Sequence, residues 1–185
     1  ILICADSGDV VWSKNEHEPL PIASTTKIMT SLLTIEHSQA ENKDVEITDE
    51  MVRVEGTSMG LRAGDVIKLK ELAKGMLLPS GNDAANAAAI AISGTTEKFS
   101  ELMNEKAHQI GMKNTNFVTP SGLDSGDHHS TAYDMAILGA FAMENEEFSN
   151  IASKKSMKVN FVNPSKSVNL SNHNKLLRLY DGCIG

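Results

Sequence analysis

Aromatic side chains are scarce: one Trp, two Tyr and five Phe in 185 residues, 4% in all. That shortage argues against an aromatic-rich sandwich and for closely packed helices, because Ala and Met are plentiful. There are only two cysteines, Cys4 and Cys183, and neither stands in a metal or redox spacing. They pair only if the two ends of the chain meet; otherwise they are free, partly buried thiols. Positive charge is also short, with 17 Lys and Arg against 24 Asp and Glu and a formal charge of −7. Nucleic acid is therefore not an expected partner, since phosphate binding needs clustered Lys and Arg, and a basic membrane-surface helix is excluded on the same ground. No apolar run reaches the length that spans a bilayer. A signal peptide and an initiator Met are both lacking. The chain opens on Ile1-Leu2-Ile3-Cys4-Ala5, as if inside a strand, which marks the N-terminus as an expected processing or cloning boundary.

What is present suits one domain, with room for two lobes. Apolar residues make up 41%, enough for a core. Ile1–Ala5 and Val10–Trp12 flank the turn Asp6-Ser7-Gly8-Asp9 and predict a hairpin. Helical spacing runs from Ser24 to about His37, from Leu69 to Leu77 with Pro79 as its stop, over the Ala-rich run 84–92, and over 96–110 with Gly111 as its C-terminal cap. Short β-like pieces lie at 45–47 and 66–67 within an irregular stretch, and a short strand is expected at 116–119. Thr131-Ala132-Tyr133-Asp134 reads as a capping box opening a helix to about Met143. Residues 156–170 read as a polar hairpin or loop, and 174–179 as a last short helix.

The chemistry centres on Pro21-Ile22-Ala23-Ser24-Thr25-Thr26-Lys27-Ile28-Met29-Thr30. Residues three apart share a helix face, so the Lys27 amine can reach the Ser24 hydroxyl. A serine needs a base beside it to act as a nucleophile. A lysine serves as that base only when burial or positive potential lowers its pKa; a helix N-terminus supplies part of that potential. Ser24, Lys27, Ser31 and Thr34 form a polar stripe with no acid in it. Such a stripe is usually a solvated face. Ser-x-x-Lys alone has little specificity. It gains some from Ser80-Gly81-Asn82, a second polar element between two helical runs. That hydroxyl and amide can complete a proton path and hold a substrate amide, although Ser and Asn also favour ordinary helix starts.

With both elements in place, the sequence resembles the D-alanyl-D-alanine carboxypeptidases, the low-molecular-mass penicillin-binding proteins. Residues 21–30 look like their active-site serine segment, and Leu77-Leu78-Pro79-Ser80-Gly81-Asn82-Asp83-Ala84-Ala85 looks like their Ser-x-Asn segment. Gly111-Met112, Asn114-Thr115-Asn116-Phe117, Pro120-Ser121-Gly122-Leu123-Asp124 and His129-Ser130-Thr131-Ala132-Tyr133-Asp134 are similar to the family's stretch beyond that second motif. The likeness runs through essentially the whole chain, in the family's order. It implies an α+β fold of the β-lactamase/transpeptidase kind: an antiparallel sheet flanked by helices, plus a mostly helical lobe. It implies that Ser24 attacks the carbonyl between two terminal D-alanines of a peptidoglycan stem peptide. Lys27 would take the proton, Ser80 relay it and Asn82 bind the substrate amide, with the Ser24 backbone N–H as one oxyanion donor. β-Lactam antibiotics would acylate Ser24. No cofactor or metal is called for, and the location implied is outside the cytoplasmic membrane, with a membrane tether beyond this sequence allowed. The family's third motif, Lys-Thr-Gly, does not occur in residues 1–185 and is expected just after them. On that reading the chain is a single incomplete domain, lacking its C-terminal strands and dependent on that segment for stability.

Rival readings come from other residues. Gly56-Thr57-Ser58-Met59-Gly60 matches the nucleophile elbow Gly-x-Ser-x-Gly, with Asp124 or Asp127 and then His128, His129 or His173 in order. Its context fails, because Arg53 and Glu55 interrupt the strand that an elbow requires. Asp124, Asp127, His128 and His129 suggest a metal, but no pair has helical ligand spacing. A β-lactamase shares Ser-x-x-Lys, yet no hydrolytic glutamate can be placed. A non-catalytic peptidoglycan-binding relative is the alternative from another class.

Overall fold

Fourteen consecutive residues, Lys27–Ala40, form the helix α1 around which the others pack. The structure, a computed structural model, describes residues 1–123 and 126–185. α1 buries Met29, Leu32, Leu33 and Ile35, none more than 2% exposed. Each such side chain contributes on the order of 1.5–3 kcal/mol of burial. A helix α4, Asn82–Ser93, lies across it. Its buried face is Ala84, Ala85, Ala87, Ala88 and Ala89. Methyl groups alone let α4 touch α1, α2 (Asp49–Val52), α3 (Leu69–Leu77) and α5 (Thr96–Gln109) at once. Phe99 and Met103 of α5 complete that layer. On another side α1 meets α6 (Ala132–Glu144) and α7 (Glu146–Ala152).

The strands are short and antiparallel. β1 (Leu2–Ile3) pairs with β2 (Val10–Trp12), confirming the hairpin in abbreviated form. β3 (Asp44–Glu46), β4 (Val66–Lys68), β5 (Ser156–Asn163) and β6 (Lys166–Ser171) make a four-stranded sheet in that order. Val159 and Phe161 of β5 are buried while Lys158, Asn160 and Val162 alternate with them and are exposed, the alternation of a one-sided sheet. α3 is tied to β5 by Glu71, which accepts from Asn160 N at 3.0 Å and from Lys74 Nζ at 2.6 Å. The fold class read from the resemblance, α+β with an antiparallel sheet and helical packing, is the fold observed.

Several local readings need correction. Residues 116–119 are not a strand; Asn116 makes only an isolated bridge to His129. Its neighbour Phe117 N–H goes instead to the Asn104 side chain of α5. The capping box is half formed. Thr131 Oγ1 accepts from Asp134 N, but the Asp134 carboxylate turns away to Asn114 N and Thr115 Oγ1. α2 and α7 were not foreseen, and α8 (Leu176–Leu179) is shorter than its pattern. Both cysteines are free thiols, Cys4 exposed and Cys183 half-buried.

Candidate active site

The Ser24 segment is not α-helical at its start. Ala23–Thr26 form a 3-10 turn, and α1 begins only at Lys27. The correction strengthens the pairing, because a 3-10 turn has three residues per turn and places residues i and i+3 directly above one another. Lys27 Nζ lies 3.0 Å from Ser24 Oγ. Ser24 itself is exposed and accessible to a substrate. Ala23, just before it, adopts φ +44°, a conformation that costs a non-glycine residue on the order of 1 kcal/mol.

The rest of the stripe is not a solvated face. Thr26, Lys27, Thr30, Ser31 and Thr34 are each at most 2% exposed. Backbone carbonyls of Pro120 and Ser121 meet two of them. Lys27 Nζ donates to Ser121 O at 2.7 Å, and Thr30 Oγ1 to Pro120 O at 2.7 Å. Gly122, at φ +80°, presses on the nucleophile turn so closely that a Cβ there would overlap the Ala23 carbonyl. Burial lowers the Lys27 pKa from 10.5 to about 8. Roughly a tenth of the amine is then neutral at pH 7, enough to offer a lone pair to the Ser24 hydroxyl proton.

The second element sits where α4 begins. Ser80 has φ +61°, Gly81 precedes the first turn, and Asn82 is 3% exposed. Asn82 Nδ2 donates to Glu55 O at 2.6 Å, and its backbone N–H to Thr57 O at 2.7 Å. Thr57 Oγ1 bonds the Ser80 carbonyl. Among the described residues Asn82 Oδ1 is buried with no partner, an acceptor left for another group. Thus Ser24 and Lys27 are directly hydrogen-bonded. Ser80 and Asn82 stand at the start of a helix packed on α1, with no hydrogen bond to that pair among the described residues.

The rival sites do not assemble. Ser58 Oγ donates to Asp83 at 2.6 Å and meets no histidine. His128 and His129 serve different partners. His128 Nε2 lies 2.8 Å from Thr26 Oγ1, and its Nδ1 accepts from Val118 N at 2.9 Å; His129 Nδ1 turns to Asp127. Two backbone-facing acceptor bonds leave Nδ1 without a proton, so His128 carries its N–H on Nε2 and donates it to Thr26. Asp124 lies outside the described residues. Among those described, no three potential ligands gather for a metal. Sequence reasoning did not identify Ser121, Gly122 and His128 as supports of the nucleophile. The Ser121 contact is made by a backbone carbonyl, which carries no residue signature.

Known proteins resemble the chain over nearly its whole length. The model of the D-alanyl-D-alanine carboxypeptidase family matches residues 1–183. The D-alanyl-D-alanine carboxypeptidase DacF of Bacillus subtilis is 37% identical over 189 residues, covering 100% of this chain and 48% of its own length. The chain spans about half the length of the curated relatives it matches. Among solved structures, a D-alanyl-D-alanine carboxypeptidase of Mycobacterium tuberculosis superposes with a TM-score of 0.90 at 32% identity, over 99% of this chain and 69% of the other. A variant of a Streptomyces DD-transpeptidase superposes with a TM-score of 0.91 at 29% identity, over 99% of this chain and 76% of the other.

Proposed function

The chain belongs to the D-alanyl-D-alanine carboxypeptidase family, and from that premise we propose that its protein trims the terminal D-alanine from peptidoglycan stem peptides through an acyl-enzyme on Ser24. The observation that carries the reading is the 3.0 Å contact between Ser24 Oγ and a buried Lys27 amine whose pKa is lowered to about 8. Neutral Lys27 takes the hydroxyl proton as Ser24 Oγ attacks the carbonyl carbon. The C–N bond then breaks, and the leaving D-alanine nitrogen takes a proton, passed on through the Ser80 hydroxyl. Water next attacks the Ser24 ester, releasing the shortened peptide and restoring the hydroxyl. Asn82 holds the substrate amide in this scheme, and its unpartnered Oδ1 supports that role. The Ser24 backbone N–H is one oxyanion donor.

A β-lactam offers the same kind of carbonyl, so penicillins are expected to open on Ser24 and remain attached. The substrate places the protein in the cell envelope, outside the cytoplasmic membrane. No helix among the described residues is long and apolar enough to cross a membrane.

The test uses the full protein, a fluorescent penicillin and a synthetic acyl-D-alanyl-D-alanine peptide. Labelling should fall on the Ser24 peptide, free D-alanine should appear, and Ser24→Ala should abolish both. Rapid release of hydrolysed penicillin would instead favour a β-lactamase. Labelling without D-alanine release would sink the carboxypeptidase assignment while keeping the nucleophile.

A further inference from the structure

The Gly-x-Ser-x-Gly run that imitates a hydrolase elbow has a different use. Asp83, 2% exposed, is wrapped by it. Its Oδ1 accepts from Met59 N and Ala84 N, each at 2.9 Å. Its Oδ2 accepts from Ser58 Oγ at 2.6 Å, Leu61 N at 3.0 Å and Gly60 N at 3.1 Å. No cation pairs with this carboxylate among the described ion pairs; five N–H and O–H donors surround it instead. Only an acceptor-only group can satisfy such a shell.

The loop so fixed reaches back to the site. Glu55 O accepts a hydrogen bond from Asn82 Nδ2, Thr57 O accepts one from the Asn82 backbone N–H, and Thr57 Oγ1 donates to the Ser80 carbonyl. Gly56, at φ +90°, leaves room for the Asn82 amide; a Cβ there would stand 2.7 Å from Asn82 Nδ2. The bond to Glu55 O also decides which end of the amide is committed, and so leaves Oδ1 as the unpartnered end.

We propose that Asp83 is a positioning residue for the acylation reaction: it fixes the 55–61 loop, and that loop sets the orientation of Asn82. The inference rests on the functional reading above. In Asp83→Asn, one carboxylate oxygen becomes an NH2 facing at least two of the five donors, whichever way the amide turns. The loop loses its anchor, and Asn82 loses its fixed orientation. A misplacement of about 1 Å costs a reaction about 10²-fold.

The experiment is a double-mutant cycle in the full protein, reading the second-order rate of labelling by fluorescent penicillin. Asp83→Asn should slow labelling by about 10²-fold. In an Asn82→Ala background, followed at higher penicillin concentration, the same change should cost nothing further, because the group it acts through is gone. The pH midpoint of labelling should stay near 8, since Lys27 is held by α1 and Ser121, not by this loop. Independent, multiplying losses, or an unchanged rate in Asp83→Asn, would overturn the proposal. If Asp83→Asn shows no cooperative melt, Ser58→Ala replaces it. Ser58 is exposed and supplies one of the five donors to Asp83, so a smaller loss with the same coupling to Asn82→Ala is expected, and its absence is equally decisive. Failure of the functional reading looks different: Ser24→Ala would label as fast as the wild type.

Discussion

Lys27 is a cation placed where a cation is disfavoured. It is 2% exposed, its amine touches a hydroxyl and a carbonyl, and among the described residues no carboxylate pairs with it. Burial therefore favours the neutral amine, and the pKa falls to about 8. That sets the sign of the pH effect. Only the neutral amine accepts a proton, so acylation should rise about tenfold per unit up to pH 8 and level off above it. Stopped-flow labelling across pH 6–10 checks this. A flat profile would remove Lys27 from the role of base. Lys27→Arg keeps the charge, but guanidinium does not deprotonate in this range, and the rising limb should vanish with a loss of about 10²–10⁴ in rate. Gly122 is the other demanding position. Gly122→Ala adds a methyl group against the Ala23 carbonyl at a positive φ. It should lower both the melting temperature and the labelling rate, because the strained residue is the one that aims Ser24. Retained labelling in a destabilised protein would separate the two effects and refute that link.

At the scale of elements, the polar residues that open α1 form a seam, not a surface. Thr26, Lys27 and Thr30 each bond the 117–130 region, through His128, Ser121 O and Pro120 O. The described residues of that region form only isolated bridges at His129 and Ser130, so these bonds help to fix its course. Thr30→Val preserves shape and leaves the Pro120 carbonyl unpaired in the interior. The expected cost is about 1–3 kcal/mol, read from urea denaturation. A neutral result would mean that the carbonyl finds another donor and that the seam is held elsewhere. The α1–α4 contact depends on the opposite device. Five alanines remove side-chain bulk so that α4 packs closely on α1.

At the scale of the whole molecule, order is unevenly supported. The helical layers and the four-stranded sheet share one core. The β1–β2 pair stands apart as a two-stranded sheet, with Leu2, Val10, Val11 and Trp12 each about half exposed or more. Two strands alone are marginal in water. We therefore expect residues 1–12 of the isolated 185-residue polypeptide to exchange amide hydrogens fast while α1 and α4 stay protected. Its circular-dichroism melt should be broad. A sharp transition at high temperature, with protected amides in β1 and β2, would count against this.

Much of this was legible in the residues. The boundaries of α3, α5 and α6 came from spacing and punctuation, because a Pro, a Gly and a Thr cap act locally on the backbone. The Ser24–Lys27 pair was legible as well, since two residues three apart on a helical turn meet whatever the rest of the chain does. The 156–170 hairpin was legible too, but not that β5 also pairs with β4, a partner about ninety residues away in sequence. Similarly, no local pattern reveals that a polar stripe is buried, that the Lys27 amine is held by a backbone carbonyl, or that an elbow-like serine serves a distant aspartate. Those outcomes depend on which segments meet across the fold. Sequence alone determined the chemistry available at Ser24 and Lys27, because covalent order and helical period are local. Only the tertiary structure decided the lowered pKa of that lysine and the orientation of Asn82, because desolvation and long-range hydrogen bonds come from residues that chain order does not place side by side.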